Sequence, residues 1–125
     1  MYLVDTCALL WFLDDNPSLS LKARDVIGKS NALYVSIVSL WEIAIKKTIG
    51  KLELEETVTE IADICEDYGI TILPVKIQYL ERVQQLPLIH GDPFDRLIMS
   101  TALEEGLLLI THDSNIRKYN MDLLW

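Results

Sequence analysis

Basic residues are scarce in this sequence. Eleven Lys and Arg stand against 19 Asp and Glu, giving a formal net charge of −8. A protein that holds nucleic acid by charge alone is basic, so the composition argues against that mode. Action on RNA or DNA would need a metal to neutralise the acids and local clustering of the few cations. An acidic surface also suits a basic peptide partner. Cysteine is equally scarce. Cys7 and Cys65 lie far apart, with no His or Cys at ligand spacing. They read as buried, reduced thiols, as expected in a cytoplasm. No apolar run approaches the roughly 18 residues of a membrane span. The start, Met1-Tyr2-Leu3-Val4-Asp5, has neither the basic stretch nor the cleavage site of a secretory leader. Repeats, low-complexity tracts and linkers are missing too. What is present is 125 residues, half of them apolar and 24% charged, as expected for one domain with its own core.

Short apolar runs alternate with helical periods, the pattern of an α/β sheet. Strands are expected at Tyr2–Val4, Ala32–Val35, Thr71–Leu73 and Leu107–Thr111, with an edge strand at Leu123–Trp125. The Leu107–Thr111 run is apolar without alternation, which marks a buried parallel strand. Helices are expected over Thr6–Asp14, Ser20–Ser30 with Ser20 as N-cap, Ser36–Thr48, Glu55–Tyr68, Lys76–Leu86 and Asp92–Glu105. Pro93 suits a first helical position, and Gly50, Gly69 and Gly106 suit helix ends. A short helix over Ser114–Tyr119 follows Asp113, and Leu88–Gly91 reads as a loop.

Four acids interrupt this apolar framework. Asp5 ends the first strand, Glu42 splits an apolar helix, Asp95 lies in the first turn of another, and Asp113 follows the Leu107–Thr111 strand. Carboxylates beside apolar segments are costly to desolvate without compensation. A divalent cation is one compensation, and a set of hard oxygen ligands suits Mg²⁺ or Mn²⁺. In a parallel sheet, ligands bind at the carboxyl ends of the strands, where Asp5 and Asp113 would fall. Each acid also has a local explanation. Asp5 and Asp113 can cap the segments that follow them, Asp95 can favour a helix dipole, and Glu42 can pair with Lys46 at i,i+4. Asp92 is assigned to the N-cap of the Pro93 helix, which leaves Asp95 to face the crevice.

The ordered set Leu3-Val4-Asp5-Thr6, Ser39-Leu40-Trp41-Glu42-Ile43-Ala44, His90-Gly91-Asp92-Pro93-Phe94-Asp95-Arg96-Leu97-Ile98 and Leu109-Ile110-Thr111-His112-Asp113 resembles the PIN-domain ribonucleases. It is closest to the VapC-like toxins of toxin–antitoxin pairs. The resemblance spans the whole chain. It implies a Rossmann-like, three-layer α/β/α domain with a mostly parallel central sheet. It also implies a Mg²⁺- or Mn²⁺-dependent endoribonuclease whose catalytic and metal-binding acids are Asp5, Glu42, Asp95 and Asp113. Thr6 and Thr111 match hydroxyl positions beside that site, and Asp92 adjoins it. Related sequences often carry His directly after the Asp-Thr pair, where this chain has Cys7. His90 and His112 are expected at the surface or beside the site, with no metal bond.

The same resemblance implies an RNA substrate, an antitoxin and a homodimer. Lys46 and Arg96, with Lys47, Arg117 and Lys118, are candidates to contact the RNA backbone. Trp11, Trp41 and Trp125 suit either an interface or the core. Without metal, carboxylates sharing a crevice repel, and some of their pKa values rise. Two other readings compete. A phosphoacceptor receiver domain has this size and acidity, but it needs paired acids after the first strand, an acid after a middle strand and a Lys after the last. Thr71-Ile72-Leu73-Pro74 has no acid and no Lys follows Thr111. The other is a non-catalytic, partner-binding domain on a nuclease fold.

Overall fold

The computed structural model describes residues 1–125. Five strands form one sheet: β1 (Tyr2–Val4), β2 (Leu33–Ser36), β3 (Ile70–Leu73), β4 (Leu108–Ile110) and β5 (Leu123–Leu124). Their order is β3-β2-β1-β4-β5, and every pairing is parallel. Six helices flank it: α1 (Thr6–Leu13), α2 (Leu21–Lys29), α3 (Ile37–Thr48), α4 (Val58–Asp67), α5 (Ile77–Gln85) and α6 (Pro93–Glu105). This is the expected three-layer α/β/α architecture, with an edge strand that is parallel like the rest.

Strand alternation divides the core. Successive side chains point to opposite faces, so Val4, Leu33, Val35 and Ile110 pack with Ala8, Leu9, Ala23, Ile27, Ile61 and Cys65 under α1, α2 and α4. Leu3 and Leu109 point the other way and meet Ile98, Met99 and Ala102 of α6. Helix α3 serves both sides, with Leu40 and Ile43 in the first cluster and Val38 in the second. Helix α5 packs outside α6, where the buried Tyr79 donates its hydroxyl proton to Glu105 Oε1 at 2.7 Å. Fully buried residues such as Leu3, Leu109 and Met99 each contribute about 1.5–3 kcal/mol.

Most boundaries differ from expectation by a residue or two, and three of the differences show which side chains set them. Ser36 closes β2, and its Oγ accepts from Val38 N to cap α3. Glu55 and Glu56 stay outside α4, because Thr57 and Glu60 form a reciprocal capping box that fixes the start at Val58. The Ser114–Tyr119 helix shrinks to a single 3-10 turn over Ile116–Lys118. There Asp113 Oδ1 accepts from Asn115 N and Ile116 N, two amides that the start of a helix leaves without a backbone acceptor. Gly106 ends α6 at φ 66°, a left-handed conformation that favours glycine.

Candidate active site

Strand register builds the site. Central β1 pairs with β4 so that Val4 faces Ile110. The residues that follow, Asp5 and Thr111, therefore emerge side by side. Asp5 N donates to Ile110 O at 3.1 Å, and the Thr111 hydroxyl donates to Asp5 Oδ2. Asp5 Oδ1 accepts from Ala8 N at 2.8 Å, so Asp5 is also the N-cap of α1. The local and the functional explanations of this acid hold together. Burial pushes the Asp5 carboxyl up to about 7, against the hydrogen bonds from Thr111 and Ala8, and negative Asp95 and Asp113 add to the rise.

Glu42 comes from α3 and is only 5% exposed. Its Oε1 accepts the Thr6 hydroxyl proton at 2.6 Å, and its Oε2 pairs with Lys46 Nζ at 2.6 Å. The Thr6 Oγ lies 2.9 Å from the buried Ser39 hydroxyl. Asp92 caps α6 by accepting from Asp95 N at 2.9 Å, with Pro93 next in the helix. That places Asp95 in the first turn, as expected. Asp95 is pushed up to about 6, chiefly by burial. The His90 hydrogen bond opposes the rise, while Asp92, Asp113 and Glu42 reinforce it.

Asp5, Glu42, Asp95 and Asp113 all line one cavity of about 520 Å³ at the carboxyl end of the sheet. Within it the tightest group is His90, Asp95 and Asp113, whose ligand atoms lie within 4.8 Å of one another. His90 Nε2 is 2.8 Å from Asp95 Oδ2. His90 thus stands beside the site, one of the two places expected for it, and its imidazole lies among atoms close enough to share an ion. Asp5 and Glu42 lie outside that trio, with their oxygens engaged by hydroxyls, a backbone amide and Lys46. A buried Asp5 and a half-buried Asp95, both with raised pKa values, flanked by the His90 imidazole, form a donor set suited to a divalent cation.

Arg96 has a different task from the one expected. Its Nη1 donates to Pro87 O, His90 O and the Tyr119 hydroxyl, and its Nη2 donates to Val83 O and Leu86 O. The Tyr119 hydroxyl also accepts from Ile89 N and His90 N and donates to Pro87 O. The guanidinium is thus engaged by carbonyls of the α5 end and of the loop that follows it. Among the other candidate cations, Lys46 lines the cavity, Lys47 donates to Glu56 O, and Arg117 and Lys118 lie away from it on the exposed 3-10 turn.

The cavity also takes Lys51, Trp11, His112 and Cys7, none of which the sequence reading placed there as lining. Cys65 is buried as expected, whereas Cys7 is exposed; both are free thiols. Desolvation of the Cys7 thiol, then the nearby Asp5, pushes its pKa up to about 11, which disqualifies it as a nucleophile at neutral pH. Trp41 is 56% exposed, while Trp11 and Trp125 are half-buried against each other.

Known proteins share this fold. Ribonuclease VapC22 of Mycobacterium tuberculosis is 29% identical over 121 residues, covering 94% of this chain and 90% of that protein. The solved structure of VapBC2 from Rickettsia felis bound to a DNA fragment from its promoter contains a similar chain, with TM-score 0.66 and 21% identity. That match covers 99% of this chain and 96% of the other. FitAcB from Neisseria gonorrhoeae is similar at TM-score 0.69 and 15% identity, covering 100% of this chain and 97% of the other. The family model of the PIN domain matches residues 2–121. The chain therefore belongs to the PIN domain family.

Proposed function

We propose that this chain is a divalent-metal-dependent endoribonuclease, the toxin member of a toxin–antitoxin pair. The observation that carries the proposal is the meeting of Asp5, Glu42, Asp95 and Asp113 in one cavity, two of them with raised pKa values. The resemblance to a ribonuclease over 94% of the chain and the toxin–antitoxin complexes among similar folds support it.

Asp95 and Asp113, with His90 beside them, would hold the Mg²⁺ or Mn²⁺ ion, and Asp5 would add a carboxylate from the strand end. When bound, such an ion lowers the pKa of a coordinated water and offsets charge on the scissile phosphate. Thr111 and Ala8 fix the Asp5 carboxylate by hydrogen bonds. Glu42 is held by Thr6 and Lys46, so its carboxylate is oriented to accept a proton from the attacking water. Lys46 Nζ, 44% exposed, can reach a backbone phosphate. Attack by water leaves a 5′-phosphate and a 3′-hydroxyl.

The antitoxin, a homodimer and a cytoplasmic location are parts of the same proposal. A basic antitoxin segment suits a chain of net charge −8, and exposed Trp41 and Ile37 on α3 suit burial between copies. The deciding experiment is RNA cleavage by Asp5→Asn and Asp95→Asn. Each is expected to remove Mg²⁺- or Mn²⁺-dependent cleavage while the circular dichroism spectrum stays unchanged. Full cleavage by the parent protein after chelation would refute the scheme. Growth arrest on expression that persists with Glu42→Gln would point instead to a partner-binding domain without catalysis.

A further inference from the structure

The hydrolytic chemistry leaves one wall of the acidic cavity unused. Trp11 of α1 and His112, just past β4, line it. Trp125 backs both, with ring centroids 5.8 Å from Trp11 at 59° and 4.9 Å from His112 at 16°. The Trp125 ring covers one face of the imidazole, yet His112 remains an exposed residue. A cluster serving only the core would be shut off from water, and this one opens into the cavity that holds the carboxylates. Lys51, exposed and without an ion pair, lines the same cavity.

We infer that the open face of His112 is a shelf on which one unpaired base of a single-stranded RNA stacks, with the tilted Trp11 ring against the edge of that base and Lys51 at an adjoining phosphate. The inference deepens the nuclease proposal and takes the class of ligand from it. A chain of net charge −8 gains little affinity for RNA from charge. Stacking needs no net charge, because every base has a π-face, and a single base on an aromatic side chain is worth roughly tenfold or more in affinity. A duplex hides those faces, so the shelf selects unpaired RNA. His112 directly precedes Asp113, so a base held there lies next to the carboxylate group.

The test uses the full chain with Trp41→Phe, so that Trp11 and Trp125 alone report by fluorescence. Short single-stranded oligoribonucleotides, intact or with one abasic nucleotide at successive positions, are mixed with it in Mn²⁺. Stopped-flow quenching resolves binding ahead of cleavage. Intact RNA is expected to quench the fluorescence, and an abasic residue at one position is expected to weaken binding roughly tenfold. His112→Ala is expected to lose a similar factor and to become indifferent to that abasic position, and His112→Phe to restore both. His112 is exposed, so its loss spares the core; Trp11→Leu, which touches the core, is the second variant. Equal binding of every abasic oligonucleotide, or full abasic sensitivity in His112→Ala, overturns the shelf. Cleavage without base sensitivity removes the shelf and leaves the nuclease standing. Base-sensitive quenching without cleavage keeps the shelf and removes the nuclease. Neither quenching nor cleavage overturns both.

Discussion

Asp5 meets two opposed demands. It is buried at the end of β1, and it would have to be ionised to hold the proposed cation. Without metal, moving its carboxyl from 3.8 to about 7 corresponds to a charge penalty on the order of 4 kcal/mol at alkaline pH. Asp5→Asn keeps an acceptor for Ala8 N and removes that charge. The metal-free variant should therefore melt a few degrees higher than the parent at pH 8, and a lower melting temperature in chelator would contradict the burial argument. The pH dependence follows with its sign. From about pH 4 to 7 the native Asp5 and Asp95 keep protons that the unfolded chain has released. The metal-free protein should then lose stability as pH rises through that window. Millimolar Mn²⁺ should restore it, with a larger melting-temperature gain at pH 7.5 than at pH 5. Calorimetry at both pH values checks this, and an equal shift at each would count against a carboxylate site. The acids were legible in the sequence because each is chemically out of place in its apolar segment. His90 was legible only as a residue at the surface or beside the site, since nothing in His90-Gly91-Asp92-Pro93 says that the loop turns its imidazole back onto Asp95.

That turn is made at the level of elements. Arg96 on α6 and Tyr119 after the 3-10 turn clamp the 87–90 loop through its backbone. Tyr119→Phe removes one hydroxyl that serves four groups, and should cost about 1–3 kcal/mol. It should also speed amide exchange at Ile89 and His90 and lower kcat for RNA cleavage through a less fixed Asp95. Unchanged exchange at those two amides would show that the loop holds itself. The helices themselves were readable from apolar periodicity, Ser20 and Asp92 caps, and Gly106. The errors fell at helix starts, where side chains take the amides that the helix leaves free. Ser36 could be read as helical because only its neighbours' pairing makes it the last residue of β2. The segment after Asp113 is a single 3-10 turn, with the Asp113 carboxylate on the amides of Asn115 and Ile116. Arg96 was expected at RNA because a sequence does not reveal five carbonyl and hydroxyl acceptors gathered from a preceding helix, a loop and a distant tyrosine.

For the molecule as a whole, the parallel order β3-β2-β1-β4-β5 puts β1 in the middle with β2 and β4 at its sides. Alternating elements were enough to expect such a sheet, and membership of the PIN domain family sets the phosphoacceptor alternative aside. Of the strand order only the edge position of β5 was legible, because the other strands are all apolar and any of them could have been central. Charge belongs to this scale too. With −8 overall and only Lys46 and Lys51 as cavity cations, the protein should release few counterions on binding RNA. The slope of log K against log salt should stay below about 2 in magnitude, and a slope near 6 would reveal a basic track elsewhere on the surface. The tie between Thr111 and Asp5 spans 106 positions, and His90, Asp95 and Asp113 all belong to the last third of the chain. A ribosome making this polypeptide therefore meets no working blade until synthesis is nearly done, and a transcript cut short before β4 yields only inert fragments.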